Sequence, residues 1–177
     1  IKEKIGTGHS SFVGSSANRR HNISTGAAAL HGLLIKPEEE FSLIKILGDV
    51  SAETGYLPEL VIKGNKTVPE FGGGLCQVGT TIFRTALATG LPITMRQNHS
   101  YRVSYYEPAG TDATIYIPKP DLRFINDTGN YILIQARIVK NDLYFDFWGT
   151  KDGRIATTTA PVIYNIVNTE TTINIES

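Results

Sequence analysis

Three consecutive glycines, Gly72-Gly73-Gly74, run directly into Leu75-Cys76 and a stretch of helical spacing. Glycine loses more backbone freedom on folding than any other residue. A run of glycines therefore belongs where φ must be positive or where another backbone or a ligand approaches closely. After it, Val78, Ile82, Ala86 and Leu87 recur at helical spacing, and Gly90-Leu91-Pro92 ends the segment. The pattern predicts a glycine-rich turn that opens a helix at Cys76. The plainer alternative for the glycines is a flexible connector.

Cys76 is the only cysteine among 177 residues, which excludes an internal disulfide and a multi-cysteine zinc site. A solitary cysteine is either a small buried hydrophobe or a reactive thiol. At a helix N-terminus the unpaired N–H groups and the positive end of the dipole favour the thiolate, so a lowered pKa is expected. Lowering a thiol from about 8.5 to about 6.5 gives roughly 25 times more thiolate at pH 7. The lost nucleophilicity removes about eightfold, which leaves only about threefold. Catalysis at Cys76 would then depend more on an oxyanion hole, where one donor is typically worth about 10²–10³ in rate. The backbone N–H groups of Cys76 and its neighbours are the candidates.

The rest of the chain reads as α+β. Ile23, Ala27, Leu30 and Leu34 fall on one helical stripe between Asn22 and Leu34, and Pro37 closes it. Val61-Ile62-Lys63 and Lys66-Thr67-Val68 flank Gly64-Asn65 as a two-residue hairpin. Glu38-Glu39-Glu40 reads as a solvated loop. The second half alternates: Ala113, Ile115 and Ile117 on one side, then Leu122 to Ile125, then Ile132, Ile134, Ala136 and Ile138, then Leu143, Phe145 and Phe147. This predicts an antiparallel meander with one face in the core. Residues 1–150 are expected to form one domain with N-terminal helices, and 151–177 a tail with one or two edge strands.

Seventeen basic and 17 acidic residues give zero formal net charge, without the basic excess of a nucleic-acid binder. No apolar run is long enough to span a membrane, and residues 1–5 lack a signal-peptide layout. The chain does not begin with Met and is expected to be a piece of a longer protein.

A cysteine nucleophile needs a base. Of His9, His21, His31 and His99, the last follows the cysteine helix after a short strand-like segment, Ile93-Thr94-Met95-Arg96, which returns the chain toward the helix N-terminus. His31 reads as a surface or boundary residue, and His9 and His21 as structural. Asp112 is the candidate to orient the His99 imidazole; its alternative is a turn residue after Gly110. Arg19, with Arg102 as second choice, is a candidate for a bidentate carboxylate contact, against an ordinary ion pair. Tyr101, Tyr105 and Tyr106 are either core or groove. A zinc site on Cys76, His99 and Asp112 is a further alternative.

Phe71-Gly72-Gly73-Gly74-Leu75-Cys76-Gln77-Val78, His99-Ser100 and Gly110-Thr111-Asp112-Ala113-Thr114 together resemble the VanW domain family. So do Gly14-Ser15-Ser16-Ala17-Asn18-Arg19, His21-Asn22-Ile23 and Thr54-Gly55-Tyr56. The likeness runs from about Phe12 to Gly149, in the family's order. One departure is Gly79-Thr80-Thr81, where many members carry Ser-Ser-Thr. The family is named after an accessory protein of vancomycin-resistance clusters. The resemblance implies a bacterial, extracytoplasmic, cell-wall-associated protein, tied to the membrane only through segments outside this chain. It also implies a cysteine L,D-transpeptidase that makes 3-3 cross-links in peptidoglycan. Cys76, His99 and Asp112 fall on the family's Cys, His and Asp positions. Gly73, Gly74, Gln77, Arg19, Ser100, Tyr101 and Arg102 are expected to contact a stem peptide. No metal or other cofactor, no nucleic acid and a monomer are expected. A cysteine endo- or carboxypeptidase on the same stems and a non-catalytic wall-binding module are the alternatives.

Overall fold

The computed structural model describes residues 2–63, 66–160, 162 and 164. Two hydrophobic segments, β8 (Ile132–Val139) and β9 (Asp142–Gly149), pair as an antiparallel hairpin. Leu143, Phe145 and Phe147 of β9 and Ile132 and Ile134 of β8 are fully buried on one face. A fully buried side chain of this kind contributes about 1.5–3 kcal/mol. β1 (Glu3–Ser11) pairs with the free edge of β9, and β2 (Leu34–Ile35) with β8, so the sheet runs β1-β9-β8-β2.

Two helices cover the buried face. α1 (Ala17–Leu30) places Ile23, Ala27 and Leu30 in the core. α3 (Leu75–Thr89) lies across β1 and β9 and buries Val78, Ile82, Phe83 and Ala86. A smaller sheet, β3-β7-β6, gathers β3 (Glu40–Ser42), β7 (Arg123–Ile125) and β6 (Ile93–Met95) beside the short α2 (Leu43–Leu47). The hairpin β4 (Pro58–Lys63) and β5 (Lys66–Phe71) stands apart and leads into α3. The result is a single α+β domain. No helix among the described residues is long and apolar enough to cross a membrane.

Several sequence expectations change. α1 begins at Ala17 because the Ser16 side chain accepts from the Arg19 N–H and caps it. It ends at Leu30, and Leu34 is a strand residue, exposed and paired with Leu133. β1 precedes every helix. Gly6 and Gly8 hide it from strand propensity, and both are forced by α3. A Cβ on Gly8 would lie 2.3 Å from the Thr81 carbonyl oxygen. Facing it, Thr81, Thr85 and Thr89 satisfy their hydroxyls on the carbonyls of Gln77, Thr81 and Thr85.

Residues 112–117 are not a strand. Ala113 and Ile115 are buried, but the chain runs beside α3, and the Ala113 N–H donates to Thr80 Oγ1 instead of a ladder partner. The expected meander is divided, since β7 belongs to the smaller sheet. The Gly64-Asn65 turn lies outside the described residues, although Val61 and Val68 pair as a hairpin requires. No strand forms among the described residues of the tail, where Arg154 reaches the Gly90 carbonyl and Asp127.

Candidate active site

The turn into α3 is shaped by its neighbours. Gly74 is the N-cap with φ 115°, and a Cβ there would lie 3.1 Å from Arg19 Cγ. A Cβ on Gly73 would lie 2.8 Å from Glu59 Cβ. The glycines thus admit α1 and β4 to close approach, as a connector would not require. Asn22, fully buried on α1, fastens the turn. Its amide nitrogen donates to the Leu57 and Gly73 carbonyls at 2.9 and 3.1 Å, and its oxygen accepts from the Leu57 N–H at 2.8 Å.

Cys76 is the second residue of α3 and is partly buried, with Sγ 3.5 Å from the Ile115 carbonyl oxygen. Burial pushes the thiol above the ordinary cysteine value. Backbone hydrogen bonding at Ile115, the charge of Arg19 and the residue's own N–H pull the other way and are outweighed. The lowered pKa expected from the helix terminus is therefore corrected. Part of the reason is local: the Leu75 N–H donates to the Gly72 carbonyl at 3.0 Å and the Gln77 N–H to the Gly74 carbonyl at 2.9 Å. Those N–H groups close the turn and are not free to act on sulfur.

His99 and Asp112 meet. Asp112 Oδ2 accepts from the His99 backbone N–H at 2.8 Å and lies 2.5 Å from His99 Nδ1. Asp112 Oδ1 accepts from Arg96 Nη2 at 3.1 Å, while Arg96 Nε donates to the Asp112 carbonyl at 2.7 Å. Asp112 is only 8 % exposed. Burial raises its pKa, but the His99 hydrogen bonds and the His99 and Arg96 charges outweigh that, and the carboxyl lies below the usual range. The imidazole stacks on Tyr106 with centroids 4.9 Å apart. These partners leave Nε2 as the nitrogen available for proton transfer.

Cys76 and His99 line one cavity of about 590 Å³. Its walls include Arg19, Gly73 and Gly74 beside the thiol, Tyr105 and Tyr106 from the loop after β6, and Leu60 and Phe71 from the β4–β5 hairpin. The Arg19 guanidinium donates to Ser15 Oγ at 2.7 Å and lies 5.1 Å from the Tyr105 ring centroid.

Other expected substrate contacts lie elsewhere. Gln77 is fully buried and donates to Ser10 Oγ and the Ser11 carbonyl, tying α3 to β1. Tyr101 is 56 % exposed, Ser100 is exposed, and Arg102 forms an exposed bidentate pair with Glu107; none of the three lines the cavity. Sequence reasoning missed Arg96, Asn22 and Thr80. A polar residue on the apolar stripe of α1 was the available signal for Asn22. Among the described residues no group of three or more His, Cys, Asp or Glu side chains is arranged to hold a metal.

The profile of the family described as VanW like protein matches residues 18–148. The chain is 36 % identical over 126 residues to the uncharacterized protein YoaR of Bacillus subtilis (strain 168), covering 71 % of this chain and 41 % of that protein. It is 35 % identical over 116 residues to the vancomycin B-type resistance protein VanW of Enterococcus faecalis (strain ATCC 700802 / V583), covering 63 % of this chain and 42 % of that protein. The chain thus spans about two fifths of the length of these relatives. No solved structure matches significantly. The matched span contains Cys76, His99, Asp112 and the glycine turn, and the chain belongs to the VanW family.

Proposed function

We propose that this chain is the catalytic module of a peptidoglycan L,D-transpeptidase that forms 3-3 cross-links through a thioester on Cys76. The observation that carries the reading is the sharing of one cavity by Cys76 and His99, whose imidazole is hydrogen-bonded to Asp112. The name of the Enterococcus faecalis relative supports a cell-wall setting. The module acts as a monomer outside the cytoplasmic membrane on stem peptides.

The raised thiol pKa sets the order of events. Cys76 rests protonated, so its proton passes to His99 Nε2 as Sγ attacks. The target is the carbonyl carbon between the third residue of a tetrapeptide stem, a diamino acid, and its terminal D-Ala. The carbonyl electrons move to oxygen. On collapse the C–N bond breaks, and His99 returns the proton to the departing D-Ala amine. The side-chain amine of a second stem then attacks the thioester and gives its proton to His99, which reprotonates the thiolate. Asp112, ionised and hydrogen-bonded to Nδ1, stabilises the imidazolium at both stages.

Incubation with a disaccharide-tetrapeptide and mass analysis of the products test this. Cross-linked dimers from the wild type and none from Cys76→Ala are expected. Stems that lose D-Ala without forming dimers would make the protein a cysteine carboxypeptidase. Identical muropeptides from both proteins would remove the catalytic reading and leave a wall-binding module.

A further inference from the structure

An oxyanion formed at Cys76 needs donors about 2.7–3.1 Å away. The Leu75 and Gln77 N–H groups are taken up by Gly72 and Gly74. The N–H of Cys76 itself acts on the sulfur. A tetrahedral intermediate in this cavity therefore requires a donor other than these three.

We propose that Tyr106 supplies it: the phenolic O–H of Tyr106 donates a hydrogen bond to the oxyanion of the tetrahedral intermediate, making Tyr106 a catalytic residue of the acyl transfer. The inference rests on the acyl-transfer reading above and names a residue that reading does not use.

The placement is built from both ends of the side chain. The Tyr106 carbonyl accepts from Arg84 Nη2 at 2.7 Å, and the same guanidinium holds the Glu107 and Thr111 carbonyls and the Thr111 hydroxyl. Beyond its backbone, the ring is stacked on His99 and meets Tyr105 edge-on at 4.5 Å. Only 5 % of the residue is exposed, yet it lines the cavity with Cys76 and Arg19. A purely structural aromatic would be satisfied by apolar neighbours; the hydroxyl of this one accepts from the Arg19 guanidinium beside the Cys76 thiol, which leaves its proton to donate.

The electrostatics keep the group a donor. Burial pushes the phenol well above the ordinary tyrosine range, and the neighbouring thiol adds to that; Arg19 lowers it and is outweighed. The proton therefore stays on Tyr106 wherever the site works. In the transfer step the carbonyl π electrons move to oxygen as the S–C bond forms, and the O–H donates without giving up its proton. The electrons return as the C–N bond breaks, and the leaving amine takes its proton from His99. Nothing is gained or lost at Tyr106.

Tyr106→Phe keeps the ring on His99 and removes the donor. The test compares 3-3 dimer formation with alkylation of Cys76 by iodoacetamide, a displacement at a saturated carbon that forms no oxyanion. The expected result is a fall in kcat of about 10²–10³-fold for dimer formation, with the alkylation rate within about twofold of wild type. Dimer formation within about threefold of wild type would overturn the inference. A parallel fall in alkylation would also overturn it, because Tyr106 would then act on the thiol or on the fold. If wild type makes no more product than Cys76→Ala, the acyl-transfer reading itself falls and takes this inference with it. That failure is visible without the Tyr106 variant.

Discussion

The substitution Asp112→Asn changes one atom and separates two roles of the carboxylate, holding the imidazole and stabilising its charge. Oδ2 accepts from two donors of one residue, the backbone N–H and Nδ1 of His99. An amide NH₂ placed there would face the backbone N–H, which has no alternative tautomer. The amide oxygen of the new side chain must therefore occupy the Oδ2 position, and its NH₂ falls against Arg96 Nη2. Arg96 can tolerate this, since it keeps the residue 112 carbonyl at 2.7 Å and the Gly110 carbonyl at 3.1 Å. The imidazole thus keeps its Nδ1–H tautomer and loses only the charged acceptor. Charge-assisted hydrogen bonds are worth about 1.5–3 kcal/mol, which corresponds to about 10- to 150-fold in kcat. The assay is the rate of 3-3 dimer formation at saturating stem peptide. In a serine-protease triad the same change costs about 10⁴ because the tautomer is wrong. A loss of that size here would mean that the amide has flipped against the backbone N–H, refuting the anchoring argument. An unchanged rate would refute His99 as the base.

Three further outcomes follow from the geometry. Because burial raises the Cys76 thiol, alkylation of the wild type should climb with pH to a midpoint above that of a free cysteine measured alongside; a midpoint below neutrality, read by mass spectrometry across a pH series, would contradict the desolvation argument. Asn22→Ala strands the Leu57 N–H and two carbonyls and should cost about 2–4 kcal/mol in urea unfolding, with cross-linking lost alongside; a change under about 0.5 kcal/mol would mean that the turn is held by something else. Gly8→Ala drives a Cβ onto the Thr81 carbonyl at 2.3 Å and the Thr85 nitrogen at 2.6 Å, for a loss of about 3 kcal/mol or more; a mild loss would show that β1 can retreat from α3.

The parts of the fold that the sequence discloses are those where one periodicity acts alone. α3 is legible from Val78, Ile82 and Ala86, and the β8–β9 hairpin from its alternating Ile and Phe residues. β1 is obscured because its partner is a helix as well as a strand. Contact with α3 replaces side chains by Gly6 and Gly8, and glycine lowers strand propensity. The period-two run Gly6, Gly8, Ser10 opposite the period-four run Thr81, Thr85, Thr89 is the signal that would have shown it. At 112–117 alternation misleads, because a segment buried on one side against a helix alternates as an edge strand does. In the site, chain order through β6 brings His99 back toward the start of α3, but it leaves Asp112 open between orienting the imidazole and serving as a turn residue, and the hydrogen bonds decide for the pairing. Spacing marks Arg96 only as part of that strand, and its reach to Asp112 depends on a loop path that spacing does not encode. The thiol's pKa direction was equally out of reach, because it depends on how deeply the sulfur is covered.

Almost every group argued to take part in the chemistry comes from one stretch of chain, residues 71–116, with Arg19 the exception. It is tempting to regard that stretch as a portable cassette. The glycine–threonine seam between β1 and α3 argues otherwise. The helix that presents Cys76 is indexed to the sheet by β1, a strand far earlier in the sequence, whose glycines meet it without side chains of their own to absorb a shift. A graft of 71–116 into a new scaffold would carry the proposed nucleophile and base but no ruler to set their separation. A minimal transplant, or a split version reassembled from two fragments, has to bring residues 3–11 with it.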